Sequence, residues 1–189
     1  MALGKLTFGM MCSLDGYISD ANGKFDWGQI DEDVHAFANA EQARESTTIY
    51  GRLMFETMAA WDTLAEDPGV SQVERDFAAL WRKTDKIVVS RSLAQVTTTR
   101  TWLVRELTAG DIEALKASSR GDISVSGPTL AASYMRQGFV DEVSLYYVPV
   151  VVGSGRPAFP DVGSLLKLER IEVRPFNNGV TFMRFAVKK

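Results

Sequence analysis

The chain has 189 residues, 46% of them apolar, and a formal charge of -3 from 21 basic and 24 acidic side chains. That length suits one domain, residues 1–189, burying about 70% of its unfolded surface, and the near-balanced charge excludes the basic face that nucleic acid or an anionic membrane requires. One cysteine (Cys12) and one histidine (His35) exclude an internal disulfide and a thiolate–imidazole zinc cluster, and suit a reducing, cytoplasmic setting.

No apolar run reaches the roughly 18 residues of a membrane span, and the first sixteen residues read as a strand rather than a leader. Lys5 to Cys12 is apolar at nearly every position. Asp15 to Ile30 follows as a long loop rich in Gly, Asp and Asn, of the kind that is usually functional. Asp31 can cap a helix to about Arg44, with Val34, Phe37, Ala38 and Ala43 as its inner stripe. Thr47 to Tyr50 reads as a short strand, and Gly51 opens a helix through Met58. Val73, Phe77, Leu80 and Trp81 form a second helical stripe.

Lys86 to Ser90 has the pattern of a strand covered on both faces. Thr101 to Val104 is a further strand, Asp111 to Ala117 a helix, and Asp122 to Ser126 a strand. Pro128 suits the first helical position, where a missing N–H costs nothing, and Gly138 stops that helix after Arg136. Val140 to Val152 reads as one long strand ending in Gly153-Ser154-Gly155. Asn177-Asn178-Gly179 is a hairpin signal joining strands around Leu168–Pro175 and Val180–Val187. Alternating strands and helices predict a mixed, mostly parallel central sheet in a three-layer α/β/α fold, and the tail adds an antiparallel hairpin.

In open α/β sheets ligands bind at the carboxyl ends of strands. Three such ends carry suitable chemistry: Tyr50-Gly51-Arg52, Val89-Ser90-Arg91 and Ser126-Gly127-Pro128-Thr129. Small residues let a phosphate approach the backbone, a following helix offers free amides, and arginine offers paired donors. The sequence lacks the full G-x-G-x-x-G fingerprint, and it lacks the G-K-[ST] of a P-loop, which excludes a Walker-type ATPase. Each junction alone is equally compatible with an ordinary helix start and a solvated arginine.

Six stretches together resemble the dihydrofolate-reductase-like superfamily, and within it stand-alone relatives of the riboflavin-biosynthesis reductase domain. They are Ser13-Leu14-Asp15-Gly16-Tyr17-Ile18; Tyr50-Gly51-Arg52 with Phe55-Glu56; Lys86 to Arg91; Ser126-Gly127-Pro128-Thr129-Leu130; Gly138 to Glu142; and Pro149 to Pro157. The resemblance implies NADPH as cofactor. It places the adenosine 2′-phosphate at Gly51-Arg52 and Ser90-Arg91, the pyrophosphate at Ser126, Gly127, Pro128, Thr129 and Leu130, and Gly153 near the nicotinamide. The family usually has two glycines where this chain has Ser126-Gly127.

For the substrate end the candidates are Asp15, Asp33 and Trp27. The resemblance puts an acidic, ring-binding residue early on the first helix. Asp33 matches it best, with Asp31 or Glu32 as alternatives; plain N-terminal helix charge is the competing reading. Asp15 also reads as a turn residue, and Trp27 as a possible loop plug. His35 reads as a surface residue and Cys12 as a small core residue. The implied activity is reduction of a small pyrimidine- or pteridine-like heterocycle, resembling 5-amino-6-(5-phosphoribosylamino)uracil reductase. The alternatives are a dihydrofolate reductase and a dimeric NADPH-binding module without turnover. The H-x-E and P-C-x-x-C signature of a deaminase half is missing. Relatives of this type imply a homodimer through the C-terminal strands.

Overall fold

The structure is a computed structural model that describes residues 3–28 and 30–188. In chain order its elements are β1 (Leu6–Ser13), β2 (Tyr17–Asp20), α1 (Glu32–Gln42), β3 (Glu45–Gly51), α2 (Arg52–Met58), short 3-10 turns at Ala59–Asp62 and Leu64–Glu66, α3 (Gln72–Lys83), β4 (Asp85–Val89), β5 (Thr101–Val104), α4 (Ala109–Ser118), β6 (Asp122–Ser126), α5 (Pro128–Arg136), β7 (Glu142–Val148), β8 (Gly155–Pro157), β9 (Leu168–Pro175) and β10 (Thr181–Val187). The architecture is three-layer α/β with a mixed, mostly parallel central sheet and a separate antiparallel ribbon, as the alternation predicts. No helix among the described residues is long and apolar enough to cross a membrane. The chain forms two compact units: the residues up to Leu6 with His35–Gly127, and Thr7–Val34 with the chain from Pro128 onward.

In the first unit the strands run parallel in the order β5-β4-β3-β6. Tyr50, Phe55 and Val88 form a core cluster, with Met54, Met58, Leu93 and Leu103 packed against it. Helix α3 starts where Ser71 and Glu74 cap each other reciprocally. Its Trp81 is fully buried and donates its indole N–H to the Tyr50 hydroxyl at 3.0 Å. Lys86 is buried too, which the apolar strand pattern around it does not announce. Its ammonium donates to the carbonyls of Trp81 (2.7 Å) and Thr84 (2.8 Å) and lies 4.1 Å above the Trp81 ring. It thereby satisfies carbonyls that α3 leaves open at its end. Burial draws its pKa down to about 8. His35 is not a surface residue: it packs half-buried against Trp61 and Phe77, and burial lowers its pKa.

Glu45, half-buried, opens β3 two residues before the predicted start. One carboxylate oxygen accepts from Gln42 Nε2 (3.0 Å), Thr48 Oγ1 (3.2 Å) and the Ser124 hydroxyl. Burial outweighs these bonds and raises its pKa to about 7.

In the second unit β1 pairs parallel with β7, β10 lies antiparallel to β7, and β9 lies antiparallel to β10 at the edge. Val34, Val148 and Val180 form one core cluster with Met11, Trp27 and Phe176 against it; Cys12, Leu145 and Ala158 form another. Cys12 is the small core residue expected, its thiol pushed up to about 12 by burial and by the charge of Asp15. The strand predicted over 140–152 is shorter, because Pro149 has no N–H to continue the ladder. The predicted loop over 15–30 contains β2, which pairs with β8 as the antiparallel ribbon.

A carboxyl whose pKa rises on folding stabilises below its unfolded value of 4.5, and that stability is lost as pH climbs through about 7. Urea denaturation should therefore show stability falling by about 2 kcal/mol over this window because of Glu45. In Glu45→Gln that component should vanish; an unchanged pH profile would refute it.

Candidate functional site

Parallel pairing aligns the three sequence-derived junctions of the first unit. Gly51 lies opposite Val89, so Ser90 follows one step beyond, and Tyr50 lies opposite Ser126. Gly51, Arg52, Ser90, Arg91, Ser126 and Gly127 are thereby gathered at the carboxyl ends of three adjacent strands. Gly127 has φ +109°, a conformation that side-chain-bearing residues rarely adopt. That dihedral turns the chain off β6, and Pro128 begins α5 directly after it. Pro128 is buried, Leu130 half-buried, and Thr129 is exposed on the first turn.

The two arginines are held loosely. Arg52 reaches Glu56 at 3.0 Å, both side chains being about two-fifths exposed, and Arg91 reaches Glu106 at 3.4 Å with 84% and 69% exposure. Such solvated pairs contribute little and exchange readily for a better anion. Ser90 is buried, and its hydroxyl accepts from the amides of Ser92 (3.3 Å) and Leu93 (3.0 Å), shaping the turn behind Arg91. Arg105 donates to the carbonyls of Ser90 (2.8 Å) and Leu93 (2.7 Å) and holds the same turn from outside. Sequence reading misses Arg105; the signal is its place one residue past Val104, which the β4–β5 register sets opposite Val89.

In the second unit the ends of β1 and β7 carry the remaining candidates. The Asp15 carboxylate accepts from the amides of Val152 (3.2 Å) and Gly153 (2.8 Å) and from the Ser13 hydroxyl (2.6 Å). Ser13, foremost, and the two amides hold the Asp15 pKa below the usual carboxylate value. Trp27 packs on the Val34–Val148–Val180 cluster, and its indole N–H is buried without a hydrogen-bond partner among the described residues. Asp31 accepts from the Val34 amide at 3.0 Å and is the helix cap predicted for it. Asp33 is exposed on the first turn of α1.

A sequence-family model described as RibD C-terminal domain matches residues 4–182. The chain belongs to the RibD C-terminal domain family. The uncharacterized protein YyaP of Bacillus subtilis is 28% identical over 177 residues, 93% of this chain and 91% of that protein. A solved protein of Shewanella sp. PV-4 assigned to riboflavin biosynthesis is similar with TM-score 0.73 at 20% identity, covering 98% of this chain and 99% of that one. The dihydrofolate reductase of Enterococcus faecalis, solved with NADP(H), is similar with TM-score 0.64 at 14% identity, covering 100% and 99%. At these identities the two structures establish the fold, which is dihydrofolate-reductase-like.

Arg105 is expected to act on order rather than on charge. In Arg105→Ala the amides of Ser92 and Leu93 should exchange hydrogen about tenfold faster, as for the loss of about one net hydrogen bond. Unchanged exchange at both amides would contradict this.

Proposed function

We propose that this member of the family is an NADPH-dependent reductase of a small pyrimidine- or pteridine-like heterocycle. The observation that carries the reading is the alignment of Gly51-Arg52, Ser90-Arg91 and Ser126-Gly127 at the ends of three neighbouring parallel strands. The residues fit the cofactor's phosphates. Arg52 and Arg91 are cations tied to the exposed carboxylates of Glu56 and Glu106, and a phosphate dianion is a stronger partner for a guanidinium. Ser90, held by its own turn, places Arg91. The bend at Gly127 frees the backbone that leads into α5, where Thr129 and Leu130 offer first-turn amides to a pyrophosphate. The NADP(H) bound by the Enterococcus reductase supports the same assignment.

When bound, the cofactor would supply the hydride. The chain's own residues would hold and polarise the acceptor. Among the described residues the buried indole N–H of Trp27 finds no acceptor, which suits it to a ring carbonyl or ring nitrogen. Asp33, exposed on the first turn of α1, would pair with an amino or amide edge of the heterocycle and could relay a proton. The same reading includes a cytoplasmic homodimer. Leu168, Ile171 and Val173 are exposed on β9, the last strand of its sheet among the described residues, an edge suited to a second copy.

Titration into NADPH should raise nicotinamide fluorescence at micromolar protein. Arg52→Ala and Arg91→Ala should each weaken NADPH about tenfold while NADH changes less than about twofold. Absence of binding, or equal effects on both nucleotides, would overturn the reading. For the dimer, light scattering should give twice the chain mass, falling to one chain in Ile171→Lys; a monomeric parent would refute that part.

A further inference from the structure

The strand-end cluster of the first unit carries carboxylates as well as cations. Arg91, past the end of β4, donates from Nη2 to Glu106 Oε2 at 3.4 Å, past the end of β5. The backbone beneath this pair is fixed without it. Val104 lies opposite Val89 in the parallel register, and the Ser90 amide donates to the Val104 carbonyl at 3.0 Å. Arg105 donates to the carbonyls of Ser90 at 2.8 Å and Leu93 at 2.7 Å. The Arg91 turn and the segment that carries Glu106 are thereby stitched into one piece. The two side chains stay free to exchange, being 84% and 69% exposed.

A guanidinium and a carboxylate at one strand end place opposite demands on a ribose. A 2′-phosphate needs cationic donors and is repelled by a carboxylate. A free 2′-hydroxyl needs an acceptor, and in dinucleotide sites a carboxylate serves as that acceptor. The Arg91–Glu106 pair offers both, one at a time. Glu56 is engaged differently. It sits one turn from Arg52 on the same helix, and Arg52 Nη1 donates to both of its oxygens, at 3.0 and 3.1 Å. Glu106 meets Arg91 through one oxygen and from a separate strand end.

We propose that Glu106 is a specificity-determining residue that opens the same site to NADH. Its carboxylate accepts from the 2′-hydroxyl of NADH, and it turns aside from Arg91 when the 2′-phosphate of NADPH takes its place. The proposal rests on the reductase reading above and adds a second nucleotide to it. Glu106 then holds NADPH back and favours NADH, while Arg91 favours NADPH. The selectivity of the protein is the difference between these opposed preferences.

Calorimetric titration of the full chain with NADPH and with NADH tests this. The parent should bind both, NADPH the more tightly. Glu106→Ala should bind NADPH about threefold more tightly, its repulsion removed, and NADH about threefold more weakly, its acceptor removed. Glu106→Gln carries no charge but keeps an acceptor oxygen. It should keep the NADPH gain and recover part of the NADH loss. A merely structural role would move both nucleotides in the same direction. If the parent binds neither nucleotide, the reductase reading falls and this proposal with it. If the parent binds NADPH but not NADH, or if Glu106→Ala shifts both together or neither, the Glu106 assignment alone falls.

Discussion

Parallel strands all finish on the same side of a sheet, and this constraint governs how the chain's chemistry is assembled. Antiparallel neighbours would send Gly51, Ser90 and Ser126 to alternate ends. Parallel pairing of β3 with both β4 and β6 brings them to one end, and the register brings them level. Helices leave room for this pairing, α2 and α3 lying in the chain between β3 and β4 and α4 between β5 and β6. Three motifs separated by dozens of residues then meet at one end of the parallel sheet. In the second unit the same rule sets the ends of β1 and β7 side by side, and Asp15 ties them together.

Buried polar groups in the first unit obey a related constraint, since each one removed from water must find a partner. Lys86 closes the end of α3, Trp81 donates to Tyr50, and Glu45 gathers three donors on one oxygen. Glu45 and Lys86 respond oppositely to burial, as physical chemistry requires: the carboxyl pKa goes up and the ammonium pKa comes down. The strands that lead to the arginines are therefore anchored by buried hydrogen bonds. The arginines themselves are paired with solvated carboxylates.

Much of this was legible in the sequence. Gly127-Pro128 marked a turn into a helix, Asp31 marked a cap, and Asn177 to Gly179 marked a hairpin, because each signal is local and its cause is local. The candidate phosphate residues were legible for the same reason, as strand ends followed by small residues and arginine. What escaped was tertiary. The partners of Asp15, Val152 and Gly153, lie 137 and 138 residues away and leave no local mark in the chain. The partner of Arg105 appears only once β5 is laid beside β4. His35 read as surface because Trp61 and Phe77, against which it packs, belong to other elements. β8 is three residues long, too short for alternation to show.

The central claim is that the strand-end cluster of the first unit holds the 2′-phosphate of NADPH. A crystal structure of the protein with NADPH tests it most directly. The account predicts the adenosine 2′-phosphate within hydrogen-bonding distance of the Arg52 or Arg91 guanidinium, with the Arg52–Glu56 or Arg91–Glu106 pair broken to receive it. A bound nucleotide whose 2′-phosphate points into solvent, with both arginine pairs intact, would contradict it.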